Sequence, residues 1–177
     1  MTLYQFEERK PKIGKGSYIF PSADVIGDVE IGEGCFVGPG VRLRGDHGAI
    51  KIGDYTNIQD NCVIHTEPGG ICAVGNHVTV GHNAVIHGAT IGDRAVIGMC
   101  AVVSDNAVVG DGSLIGEGAV VPSRMKVPGG KILVGVPARV LSDVDEEQRE
   151  YMSRIADSYR DLAMVRYPHS LKKIEIR

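Results

Sequence analysis

The sequence has no tryptophan, and its three phenylalanines and six tyrosines make up only 5% of 177 residues. A core with so few rings must be filled by Val, Ile and Ala. No apolar run approaches the ~20 residues of a membrane-crossing helix, so no membrane partner is expected. Neither charge is in marked excess: 19 basic residues stand against 22 acidic, for a net −3. That balance argues against nucleic acid or an anionic lipid surface. The first residues, MTLYQFEERK, are acidic early and lack an apolar segment, so no secretory signal is expected. There is no CxxC among Cys35, Cys62, Cys72 and Cys100, and their spacings fit neither a zinc finger nor a disulfide framework. Reduced core thiols in a cytoplasmic protein are the reading they favour.

What is abundant is glycine: 24 residues, roughly twice the average share of about 7%. They are scattered at a period of six: IGKGSY, IFPSAD, VIGDVE, IGEGCF, VGPGVR, and later VGHNAV, IGDRAV, VGDGSL, IGEGAV. An aliphatic residue opens each unit, Gly usually follows, and a small residue stands fifth. Such a unit is one short strand plus a turn and cannot bury its opener alone. Three units bent into a triangular coil put three openers inside, and stacked coils share one core. Gly at the second position is assigned to the bend. The reading is an all-β solenoid, a parallel β-helix over residues 13–140. A lead-in strand precedes it at 1–12, and a C-terminal helix and tail follow at 141–177. Ser142 and Asp145 resemble a capping box. Val144, Tyr151, Ile155, Tyr159 and Leu162 recur at helical spacing, which predicts a helix over about 143–166 with a polar tail behind it. The six-residue period breaks after Leu43, Ile64 and Ile86. The first two breaks, GDHG and TEPGG, read as small loops on a working side.

Assigning the openers in turn to three faces yields two columns that are mostly Gly at the second position. The third column runs Ile26, Arg44, His65, His87, Ser104, Pro122. Adjacent strands lie about 4.8 Å apart, so His65 and His87 can converge on one ion. Catalytic zinc usually takes three protein ligands, and His82 is the candidate third. Extended chain between His82 and His87 spans up to about 16 Å. One chain can hardly close the set, whereas a neighbouring chain in a closed homotrimer can. Around the trio cluster Arg44, Asp46, Asn57, Gln59, Asp60 and Asn61. Gln59 is placed to hydrogen-bond a metal-bound water and Asp60 to orient Arg44. His47, His77 and His169 have no such support and read as solvated or hydrogen-bonded imidazoles.

RGDHG, NIQDNCVIH and VGHNAVIHG closely resemble the γ-class carbonic anhydrases, and the likeness covers about residues 13–166. The resemblance implies a left-handed β-helix homotrimer. It implies that His65 and His87 of one chain and His82 of the next bind Zn2+, or Fe2+ or Co2+, for the hydration of CO2 to bicarbonate. It implies that Gln59 positions the attacking hydroxide, that Asn57 assists, and that Arg44 and Asp60 pair across subunits. Asp46 matches a mainly structural aspartate, and Tyr159 a helix tyrosine that some members place beside the metal. There are departures. Founding members carry a long acidic loop with a glutamate proton shuttle, whereas the loop after His65 holds only Glu67, and His47 replaces an acid after RGD. Glu67 and His47 are the candidate shuttles. A branch similar through MTLYQFEERKP and LVGVPARV is associated with acyl-CoA thioester hydrolysis in phenylacetate degradation and shares the metal site. Hexapeptide acyltransferases use the same repeat and also carry GVPAR, here at residues 135–139, but need no stacked His pair. A trimeric scaffold is the non-enzymatic alternative.

Overall fold

In the computed structural model, which describes residues 2–174, the repeat units close into a parallel β-helix of about seven coils with a helical segment against it. The three columns expected from the openers are the three walls. One runs through Ile13, Ile31, Ile52, Val74, Ile91, Val109 and Val127. The second runs through Ile19, Val37, Ile58, Val80, Ile97, Ile115 and Leu133. The third runs through Val25, Leu43, Ile64, Ile86, Val103 and Val121. Every opener from Ile19 onward is buried, and Ile13 at the open end is half-buried. Each such side chain contributes about 1.5–3 kcal/mol by leaving water.

The bend is not made by the second-position glycines. It is made at the fourth position, where the chain takes a positive φ in unit after unit: Gly34, Asn61, Asn83, Asn106 and Gly118 are examples. The second-position glycines serve stacking instead. A Cβ on Gly53 would lie 2.6 Å from the carbonyl carbon of Gly75, and one on Gly14 would lie 2.3 Å from that of Gly32. Coils approach so closely at these corners that no side chain fits. Along one corner, a side-chain ladder binds the coils: Asp54 accepts from the backbone N–H of Glu33, Asn76 from that of Asp54, and Asp93 from that of Asn76, each at 2.8 Å.

All three breaks in the period fall at one corner, between the third and first walls. GDHG is not a loop. It is a bulge inside a continuous strand, Arg42–Ile52, which turns the corner alongside Asp24–Ile31 with a register shift between Gly27 and Val29. Strand pairing on both flanks holds these residues in the wall. TEPGG does leave the wall as a turn, but ICA after it belongs to strand Ile71–Val74.

At the far end Lys131–Val134 pairs antiparallel with Arg139–Asp143, closing the last coil. Ser142 therefore lies in a strand, and the capping box is Asp145 with Gln148, opening helix α1 at Glu146–Asp161. The helix continues through a wider turn, Leu162–Arg166, into α2, Tyr167–Ser170. Met152 and Val144 pack on Ile132 of the second wall, whereas Tyr151 is exposed. Tyr167, expected in a polar tail, joins Tyr18 and Phe36 in an aromatic cluster, with centroids 5.2 and 5.5 Å away. Residues 175–177 of that tail lie outside the described residues, as does Met1 of the lead-in, whose strand is Thr2–Tyr4 beside Asp24–Ile31.

The outward residues of the walls differ. The first wall presents mainly polar side chains, Glu30, Lys51, Thr90 and Lys126 among them. Helix α1 covers much of the second. The third presents a column of valines, Val63 exposed and Val85, Val102 and Val120 half-buried.

Candidate metal centre

His65 and His87 occupy paired positions on adjacent strands of the third wall, at the corner where the period breaks. Their rings are 5.1 Å apart, and His65 Nδ1 faces His87 Nε2 at 3.1 Å. The outer nitrogen of each ring is held by a carboxylate. His65 Nε2 lies 3.1 Å from Asp46 Oδ1, and His87 Nδ1 bonds to Asp105. Arg44 Nη1 donates to both oxygens of Asp46, at 3.0 and 2.9 Å. Burial opposes ionisation of Asp46, but the hydrogen bonds from Arg44 and His65 outweigh it and hold the carboxyl at about 2. Asp46 is then an acceptor only, and His65 keeps its proton on Nε2. Burial also holds His65 below the usual histidine pKa, against the pull of Asp46.

This arrangement sets two lone pairs facing each other. With Nε2–H of His65 given to Asp46 and Nδ1–H of His87 given to Asp105, both inner nitrogens are acceptors. A cation between them, proton or metal, removes the conflict. Two imidazole nitrogens on one tetrahedral zinc, at about 2.0–2.1 Å each, stand about 3.3 Å apart. The 3.1 Å gap fits that donor set, and carboxylate-backed imidazole is the usual support of a metal-ligating histidine. Asp105 escaped the sequence reading. The available signal was its place in VSDNAV, third in its unit, one coil beyond His87 on the same wall.

His82 lies at the opposite edge of the third wall, where its Nδ1 donates to Asp60 Oδ2 at 2.7 Å. One chain does not bring it to the other two. Among the described residues, the one trio of His, Cys, Asp or Glu with ligand atoms mutually within 4.8 Å is Asp46, His47 and His65. His47 is exposed, with its ring 5.4 Å from that of His65. Glu67 is exposed in the turn beyond His65, a turn tied to His47 by the bond from Gly69 N–H to His47 O at 3.0 Å. Within one chain Arg44 is paired with Asp46 and Asp60 with His82, so an Arg44–Asp60 pair would have to form between chains.

On the His82 side, Gln59, Thr79, His82 and Tyr159 line a cleft of about 390 Å³ between the second wall and α1. Gln59 Nε2 donates to Asn57 Oδ1 at 3.2 Å, and Asn57 Nδ2 to Thr79 Oγ1 at 2.8 Å. That buried chain fixes the Gln59 amide and leaves its carbonyl oxygen as the free acceptor. Tyr159 packs its ring 5.2 Å from Phe36, and burial raises its pKa above the ordinary tyrosine value.

The model of the family "Bacterial transferase hexapeptide (six repeats)" matches residues 10–45, 72–105 and 88–123. Gamma carbonic anhydrase 3, mitochondrial, of Arabidopsis thaliana is 40% identical over 98% of this chain and 70% of its own length. Gamma carbonic anhydrase 2, mitochondrial, of the same plant is 37% identical over 98% of this chain, which spans 65% of that relative's length. Among solved structures, a Bacillus cereus protein provisionally described as an acetyltransferase superposes with a TM-score of 0.93 at 34% identity, covering 97% of this chain and 98% of its own. No described helix is long and apolar enough to cross a membrane. With the stacked repeat, its columns and identity of this order over nearly all of this chain, the chain belongs to the γ-class carbonic anhydrase family of left-handed hexapeptide-repeat β-helices.

Proposed function

We propose that this protein is a homotrimeric, zinc-dependent carbonic anhydrase that interconverts CO2 and bicarbonate, with Fe2+ or Co2+ as substitute metals. The observation that carries this is the pair of facing, carboxylate-backed imidazoles at one edge of the valine-faced third wall, with carboxylate-backed His82 at the other edge. Three copies closing head to tail around those walls bring each His82 to a neighbour's His65 and His87. A divalent ion held there supplies the Lewis acidity that makes hydroxide available near neutral pH. The chain's own residues do the rest. Asp46, Asp60 and Asp105 hold the three imidazoles in one tautomer. Gln59 Oε1, its amide fixed through Asn57 and Thr79, would accept a hydrogen bond from the attacking hydroxide and so turn its lone pair toward CO2. Tyr159, its phenol pushed further from ionisation by burial, walls the cleft. Glu67 and His47, exposed at the same corner, pass the released proton to solvent. Arg44 and Asp60 tie neighbouring subunits. The buried thiols fit a reducing compartment such as the cytoplasm.

The test is metal content and CO2 hydration on the same anaerobically purified sample. About three metals per trimer with hydration support the reading. His82→Ala should lose the metal while trimer and fold persist, and unchanged metal content would remove the ligand assignment. The structural likeness to the Bacillus cereus protein favours acyl transfer as second reading. Metal-free protein that acetylates amines from acetyl-CoA would put it first, while metal without hydration would direct attention to acyl-CoA thioesters.

A further inference from the structure

Away from the metal centre, a cavity of about 180 Å³ lies between helix α1 and the corner joining the first and second walls. That corner is built unusually. Its fourth-position residues run Gly16, Gly34, Tyr55, His77, Arg94, Gly112, Gly130, all with positive φ. Three consecutive coils therefore place bulky side chains at φ 54–56°, where Gly or Asn is the easy choice. Strain kept at three stacked positions asks for a use. Tyr55 stacks on His77 at 5.2 Å, and His77 and Arg94 line the cavity. The next coil offers Gly112, with open space around its missing Cβ. From the helix side come Arg149, Ser153 and Asp157. Arg149 has only a long 3.5 Å contact with Glu146, Asp157 is engaged by Arg160 at 3.1 Å, and Arg94 takes part in none of the ion pairs among the described residues. Val96, Met152 and Ala156 make the rest of the wall apolar.

We propose that this cavity binds a small organic carboxylate, its anionic end on the Arg94 and Arg149 guanidiniums and its compact apolar body against Val96, Met152 and Ala156. Guanidinium forks match a carboxylate, and an apolar wall with a few convergent polar groups is the general form of a small-molecule site. The site is independent of the metal.

Titration calorimetry of the purified full-length protein with benzoate, and separately with inorganic phosphate at equal ionic strength, tests it. One benzoate per chain is expected, with phosphate at least about tenfold weaker. Arg149→Ala, which suits a helix, and Arg94→Asn, which suits a left-handed corner, should each weaken benzoate at least about tenfold. The Met152 methyl carbon resonance should shift on saturation, a readout that needs no variant. No benzoate heat, an unmoved Met152 resonance, affinity indifferent to both arginines, or equal affinity for phosphate would each overturn the proposal.

Discussion

At the scale of single residues, the chemistry of this chain depends on what stands behind each reactive group. All three candidate ligands have a carboxylate behind them, and Asp105 is the one that only the structure reveals. Asp105→Asn keeps the shape but releases the His87 tautomer. Metal affinity should fall about 10–100-fold, measured by chelator competition, with the fold unchanged by circular dichroism. The cysteines show the opposite arrangement. Cys35, Cys62 and Cys72 are buried, and burial pushes their thiols up to about 11, 12 and 11. Cys100, expected in the core, is exposed because it stands at a fourth, corner position with φ 58°. Ellman's reagent should therefore titrate one thiol in the native protein and four after unfolding. The raised pKa values also set a pH window. Below the ordinary thiol value of about 9 the unfolded chain is protonated as well, and the stabilisation is complete. As pH rises from about 9 toward 11–12 the unfolded thiols ionise first, so stability falls through that range. The urea midpoint should hold steady to about pH 8.5 and then decline, and replacing the three core cysteines by alanine or valine should flatten the decline.

At the scale of the repeat, the aliphatic openers and the small fifth residues are readable because burial of two positions in every six leaves a period. The wall assignment followed, and with it the stacking of His65 on His87. The role of the second-position glycines was not readable, because a close approach to another coil and a bend ask for the same residue. The two roles separate under mutation. Gly53→Ala would set a Cβ 2.6 Å from the Gly75 backbone and should cost about 1–3 kcal/mol in urea unfolding. Gly112→Asn, at φ 60° with open space, should change stability by less than about 1 kcal/mol. GDHG reads as a turn because of its glycines, whereas two flanking strands hold it in the wall. Tyr167 carries no local signal of burial, because its partners, Tyr18, Phe20 and Phe36, are far away in sequence. The capping box stands three residues later than the sequence suggests, because Ser142 has the right chemistry but is claimed by the strand that closes the last coil.

At the scale of the whole molecule, the proposed trimer makes the third wall a link between assembly and chemistry. Its outward column, Val63, Val85, Val102 and Val120, lies between the edge bearing His65 and His87 and the edge bearing His82. An interface through this wall would bury the valines and complete the ligand set in one step. Val102→Asp places a charge in that interface without touching the core, since Val102 points outward while its neighbour Val103 is the opener. Light scattering should then report a monomer with the circular dichroism of the parent, and the monomer should hold no metal. Removing the metal alone should have a smaller effect, because a valine interface would remain. A ligand present at a thousandfold its Kd adds about 4 kcal/mol per site, and a chain of this size gains roughly 2–4 °C in Tm per kcal/mol. Chelation should therefore lower Tm by on the order of 10 °C while the trimer persists. His82→Ala should melt where the chelated parent melts and show no further response to chelator. If instead chelation dissolved the trimer, the metal rather than the valine wall would be its main bond, and Val102→Asp would then leave metal binding largely intact.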